Sequence, residues 1–274
     1  MPITRNNFKV FALLGIFIIG AILISGCTDE TTSIDVDDTH LEDLPDEGEP
    51  TEDVTEHHWG YEGEGGPEHW AELGYPDCSG NEQSPIDIPA GTLLHNTDIS
   101  FNYHPSALNI VNNGHSIEVE YDEGSSIEVE NNTYQLLQLH FHSLSENTIM
   151  GEYSDMEMHL VHQSNVGEYA VVGVMMEAGS KNNAFAPIWE NMPAEVGDIE
   201  TIRGVNVIAV TMLPENQTYY RFDGSFTTPP CTEGVKWFLM SNPVELSPEQ
   251  IDAFREIYSY NYRPVQPFND REFY

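Results

Sequence analysis

The chain has 274 residues and a formal charge of -37, from 46 acidic residues against 9 Lys and Arg. That length allows one large domain or two small ones. That charge excludes nucleic acid as a partner, since phosphate binding needs a basic surface, and it favours solubility and self-repulsion.

Residues 1–27 form a separate segment. Arg5 and Lys9 precede an almost wholly apolar run from Val10 to Ile24, and Ser25-Gly26-Cys27 follows. A run this short reads as the core of a signal peptide rather than a membrane span. Leu23-Ile24-Ser25-Gly26-Cys27 resembles the lipobox of bacterial and archaeal lipoproteins, which implies cleavage before Cys27 and a lipid on it. An uncleaved N-terminal anchor is the alternative. Both readings place the rest of the chain outside the cytoplasm, tethered to the cell membrane. With Cys27 lipidated, Cys78 and Cys231 remain, and an even remainder in an exported protein suggests a disulfide; two buried free thiols are the other option. Thr28 to Glu56 holds thirteen acids and no Lys or Arg. It cannot bury enough surface to offset its ordering entropy, which predicts a disordered acidic linker over 28–56.

A folded domain is expected over 57–274. His57-His58-Trp59-Gly60-Tyr61 and Gly65-Gly66-Pro67-Glu68-His69-Trp70 read as an irregular N-terminal arm. Short alternating runs follow: Ile99 to Tyr103, Leu108 to Asn112, Ser116 to Tyr121, Ser126 to Glu130, Tyr134 to His142, Glu157 to His162, Tyr169 to Met176 and Val205 to Met212. Turn formers separate them, so a mainly β domain is expected. Lys181 to Asn191 and Pro248 to Tyr258 are the helix candidates, with Ser247 as N-cap of the second. Asn131-Asn132-Thr133 and Asn216-Gln217-Thr218 fit the glycosylation pattern.

The chemistry concentrates in Gln138-Leu139-His140-Phe141-His142. On a strand, Gln138, His140 and His142 share one face and Leu139 and Phe141 the other. A lone His-x-His is often a surface or core pair. Here Met156-Glu157-Met158-His159-Leu160-Val161 offers a third histidine in phase with Glu157. Three neutral imidazoles with an open fourth position make a catalytic zinc site, and geometry and supply decide between zinc and Co²⁺ or Fe²⁺. Gln138 and Glu157 sit two residues before a ligand, where they can take its second ring N–H. Ser225-Phe226-Thr227-Thr228-Pro229-Pro230-Cys231 is a rigid loop with two hydroxyls, Ser145-Glu146-Asn147 offers a carboxylate, and Asn113-Gly114-His115 can hold an imidazole at a cleft mouth.

These stretches, with Gln83-Ser84-Pro85-Ile86 and Arg263-Pro264-Val265-Gln266-Pro267, occur in the order found in α-class carbonic anhydrases, and the domain resembles that family throughout. The resemblance implies one domain around a large, twisted, mostly antiparallel sheet with a few short peripheral helices. It implies reversible hydration of CO2 to bicarbonate by a zinc-bound hydroxide, in a monomer or homodimer. His140, His142 and His159 would bind Zn²⁺, supported by Gln138, Glu157 and the carbonyl of Asn261. Thr227 would accept a hydrogen bond from the zinc-bound hydroxide and donate one to Glu146, and its N–H with the Thr228 side chain would help hold bicarbonate. Val161, Val171, Phe226, Val235 and Trp237 would wall the CO2 site. Tyr61 and Asn113 would order water toward His115, the proton shuttle. A Cys78–Cys231 disulfide matches exported members. Asn147, Ser143, Phe222 and Phe226 depart from the residues common in the family, and Phe222 removes a hydroxyl near the Thr227–Glu146 relay. A catalytically silent binding module on the same fold would typically lack a zinc histidine, and all three are present. A zinc peptidase is disfavoured by the absence of His-Glu-x-x-His, although zinc sites of this kind can also act on esters.

Overall fold

The computed structural model describes residues 58–96 and 99–274. Cys27 and the leader, the acidic stretch to Glu56, and His57 lie outside the described residues. The strands are β1 (Asp87–Ile88), β2 (Ile99–Asn102), β3 (Ser106–Asn112), β4 (Ile117–Glu120), β5 (Ser126–Val129), β6 (Asn132–His142), β7 (Thr148–Ile149), β8 (Met156–Ser164), β9 (Tyr169–Ala178), β10 (Glu200–Val207), β11 (Tyr219–Ser225), β12 (Glu233–Met240) and β13 (Val244–Leu246). Among the described residues, eleven of them form one sheet with the main path β10-β3-β4-β6-β8-β9-β12-β11. Within that sheet pairing is antiparallel except where β12 and β13 run parallel to β9, and β1 and β7 form a separate parallel pair. The architecture is the mainly β domain around one large, mostly antiparallel sheet expected from the sequence.

One irregularity in β6 decides which face carries the histidines. In β6, Tyr134 and Leu136 are buried in the main core, and so are Leu139 and Phe141. Strict alternation cannot bury both pairs on one face. The pairing of β6 with β8 slips between Leu136 and Gln138, and the extra residue reverses the phase, as a β-bulge does. Beyond it, Leu139 and Phe141 point into the core, and Gln138, His140 and His142 emerge on the opposite face.

Three expectations need correction. The run Val205 to Met212 is not one strand. β10 ends at Val207 and a 3-10 turn covers Ala209–Met212. Ala209 and Met212 are buried while Ile208 and Val210 are exposed, which is the i, i+3 spacing of a three-residue turn rather than a pleat. The helix expected over Lys181 to Asn191 is a 3-10 turn at Asn183–Phe185 followed by the single turn α1 (Ala186–Trp189). The second helix, α2 (Pro248–Arg255), stops short of Tyr258. Ser247 caps it in a reciprocal capping box with Gln250, which satisfies two otherwise orphaned N–H groups.

The N-terminal arm packs as an aromatic cluster of Trp59, Tyr61 and Trp70 beside Cys78 and Cys231. Those two cysteines form a disulfide across a sequence separation of 153. Trp70 Nε1 donates to the carbonyls of Gly60 and Gly65, which folds the arm on itself.

Candidate active site

Because β4, β6 and β8 are in register, Glu118, His140 and His159 form one row across three strands. The next position in that row is Gly173 on β9. A Cβ there would sit 2.8 Å from Leu239 Cδ1 and 3.1 Å from Glu157 Oε1, so glycine leaves room for the buried Glu157 carboxylate.

His140, His142 and His159 each present a ring nitrogen, and these atoms lie within 4.8 Å of one another. The other nitrogen of each ring is engaged. His140 Nδ1 meets Gln138 Oε1 at 2.8 Å, His142 Nδ1 meets the Asn261 carbonyl at 2.7 Å, and His159 Nε2 meets Glu157 Oε1 at 2.9 Å. All three partners accept, so those nitrogens carry the hydrogens. Lone pairs are left on Nε2, Nε2 and Nδ1, the atoms that converge. His142 Nε2 is buried without a hydrogen-bond partner. A donor set of three neutral imidazoles with fixed tautomers fits a tetrahedral zinc ion with one open position.

Charge follows the same logic. Burial, then the neighbouring His159, holds His140 well below the ordinary imidazole range. Burial, His159 and His140 do the same to His142. Burial also pulls His159 down, but the Glu157 charge and hydrogen bond, with Glu146, outweigh it and leave His159 raised. Glu157 is fully buried and accepts from four donors: Glu146 N and Asn147 N on Oε2, and Asn147 Nδ2 and His159 Nε2 on Oε1.

Glu146 is also fully buried. Its Oε1 accepts from Arg263 N at 2.8 Å. Its Oε2 lies 3.4 Å from His142 Nε2 and has no hydrogen-bond partner. Burial pushes this acid up to about 7, against the pull of His159, the Thr227 hydroxyl within reach of it, and the Arg263 N–H. Thr227 is buried and Thr228 half-buried beside it.

Val161, Val171, Val235, Trp237 and Phe222 form a second apolar cluster, against which Phe226 packs. Trp237 meets the His159 ring edge-on at 5.0 Å. Phe222 is fully buried. It stacks on Trp237, whose Nε1 donates to the Ser225 carbonyl.

At the outer end, His115 stacks on Trp59 with ring centroids 3.6 Å apart. Burial and then His58 lower its pKa. Asn113 Oδ1 accepts from His115 N and Ser116 N, so this amide builds the turn itself. The Tyr61 hydroxyl is buried without a partner, and burial, Glu146 and Tyr258 raise its pKa well above the usual phenol value. The Asn261 amide links the two ends by donating to the carbonyls of His115 and Phe141.

Two supports escaped sequence reasoning. Asn147 clamps Glu157 as described, and its Oδ1 accepts from Ile86 N. Arg263 fixes Glu146 through its main chain. No residue-type signal marks a backbone donor, but the Ser145-Glu146-Asn147 run could have pointed to Asn147.

The profile of the family described as eukaryotic-type carbonic anhydrase matches residues 65–274. The chain belongs to the α-carbonic anhydrase family, a family of enzymes. It is 41% identical over 222 residues to a carbonic anhydrase of Nostoc, covering 78% of this chain and 84% of that one. With one of Neisseria gonorrhoeae it shares 42% over 219 residues, covering 78% and 86%. The fold is similar to that of α-carbonic anhydrase from Thermovibrio ammonificans in complex with sulfanilamide, with TM-score 0.76 and 40% identity, covering 79% of this chain and 98% of that one. It is also similar to a hyperthermostable carbonic anhydrase from a hydrothermal vent chimney, with TM-score 0.74 and 43% identity, covering 79% and 98%. The convergent histidines therefore sit in a carbonic anhydrase scaffold.

Proposed function

We propose that this chain is a zinc-dependent carbonic anhydrase that interconverts CO2 and bicarbonate outside the cytoplasm, held at the cell membrane by a lipid on Cys27. The observation that carries the catalytic reading is the convergence of three imidazole lone pairs, each fixed by an acceptor on the far ring nitrogen. His140, His142 and His159 would hold the ion. Zinc in such a site supplies a water of lowered pKa, an effect for which carbonic anhydrases are themselves the standard example.

The chain's own residues do the rest. Thr227 accepts a hydrogen bond from the attacking oxygen and directs its own proton to Glu146, which Arg263 N holds in place. Val161, Val171, Val235, Trp237 and Phe226 give apolar CO2 a dry wall, and the Thr227 N–H with the Thr228 hydroxyl receives bicarbonate. Tyr61 lends an unpartnered hydroxyl to water on the way to His115. Burial keeps the His115 ring neutral, with a nitrogen free to take a proton.

Metal analysis of the purified protein with a stopped-flow CO2 hydration assay tests this reading. His140→Ala should abolish zinc binding and hydration together. Full hydration by the zinc-free variant overturns the proposal. For the tether, Cys27→Ser should release the protein from membranes. Persistent pelleting would make the apolar leader the anchor.

A further inference from the structure

Glu118 stands opposite His140 in the antiparallel pairing of β4 with β6, and Glu120 stands opposite Gln138. Directly paired residues leave the sheet on the same face, so both carboxylates rise beside the metal ligands on the cleft side. Glu118 is half-buried and Glu120 exposed. Asn113 Nδ2 donates to Glu118 Oε2 at 3.2 Å, which ties that carboxylate to the turn carrying His115. Among the described residues Glu118 takes part in no ion pair. Four of the arginines are engaged elsewhere: the Arg263 guanidinium with Gln83, Ser84 and Cys78, Arg221 with Glu130 and Asp223, Arg255 with Asp155, and Arg271 with main-chain carbonyls. Burial, then Glu120, raises the Glu118 pKa against the Asn113 hydrogen bond.

We propose that Glu118 sets the anion selectivity of the metal centre: its uncompensated carboxylate weakens the binding of anions at the metal and speeds the departure of bicarbonate. The inference rests on the carbonic anhydrase reading above. CO2 is neutral and passes the carboxylate without penalty. An anion at the site adds a second negative charge in the same partly wetted cleft, where Coulomb repulsion on this scale corresponds to about fivefold in affinity.

The test uses the cobalt-substituted protein, whose visible absorption reports ligand binding independently of turnover, titrated with thiocyanate below the pKa of the metal-bound water, where the anion replaces neutral water rather than hydroxide. Glu118→Gln keeps the acceptor for Asn113 and removes the charge, and should lower the thiocyanate Kd by about fivefold, with Glu118→Lys lowering it further. The affinity for neutral imidazole should stay unchanged. A thiocyanate Kd unmoved in Glu118→Gln overturns the proposal, as does an equal tightening for imidazole, which would make the effect steric. A native protein that takes up no metal overturns the functional reading and this inference with it. An active native enzyme with unmoved thiocyanate affinity in the variant overturns this inference alone.

Discussion

Replacing Glu157 by Gln removes one charge at nearly constant shape and forces a choice among four donors. Glu157 accepts Glu146 N and Asn147 N on one oxygen, and Asn147 Nδ2 and His159 Nε2 on the other, all at 2.8–2.9 Å and all buried. A glutamine amide offers one oxygen and one NH2. If the NH2 faces the main chain, two N–H groups are orphaned, at about 1–3 kcal/mol each. If it faces His159, the imidazole must accept there, and its proton moves to Nδ1, the nitrogen that points at the metal site. The first outcome costs about 2–6 kcal/mol of stability. The second removes a ligand lone pair, and loss of such a supporting partner typically weakens metal affinity about 10–100-fold. Chelator competition for zinc and thermal unfolding of the metal-free protein separate the two. Glu157→Gln should fail at least one test. A variant with native zinc affinity and native unfolding temperature would refute the view that this carboxylate fixes the His159 tautomer.

Reducing the Cys78–Cys231 disulfide, or replacing both cysteines by serine, should destabilise the fold by about 5 kcal/mol on loop entropy for its separation of 153 residues. Thermal melts with and without reductant read this directly. His115→Ala should slow hydration in weak buffer, with recovery on adding imidazole; unchanged turnover in weak buffer would place the proton exit elsewhere. In the metal-free protein, Glu146 with its pKa raised to about 7 gives stability that is fully present below the unfolded-state value and is lost as pH rises through 7. The loss is on the order of 3 kcal/mol, and Glu146→Gln should flatten denaturant-measured stability across that window.

How far the sequence revealed the fold depended on which face each segment buries. β6, β8 and β9 were plain because β-branched and apolar residues alternate with polar ones or run unbroken. β11 and β12 were not recognised as strands. Asp223 and Gly224 interrupt the first, Gly234 and Lys236 the second, and each of these residues lowers strand propensity. Yet these two strands supply Phe222, Val235 and Trp237 to the apolar wall. The bulge at Leu136 to Gln138 was also hidden. Alternation continued across it would set Gln138 and His140 on the face of Tyr134 and Leu136, and only tertiary pairing shows the reversal. The His-x-His spacing survived because it lies wholly on one side of the bulge.

The site divides along a different line. Ligands and their side-chain partners were readable because both belong to short stretches: Gln138 with His140, and Glu157 with His159, two residues apart on a pleat. The remaining supports come from far along the chain, with Arg263 N reaching Glu146 over 117 residues and the Asn261 carbonyl reaching His142 over 119. They are main-chain groups. Nearly every residue type carries the same carbonyl and N–H, so composition at 261 and 263 places almost no constraint on them. Only the resemblance to a family pointed to Asn261, and nothing pointed to the Arg263 N–H. Proline at 263 is the one substitution that would delete that donor. The positions that hold the Glu146 carboxylate are thus specified by where the backbone passes, and the loop after α2 shapes the candidate site together with the histidines.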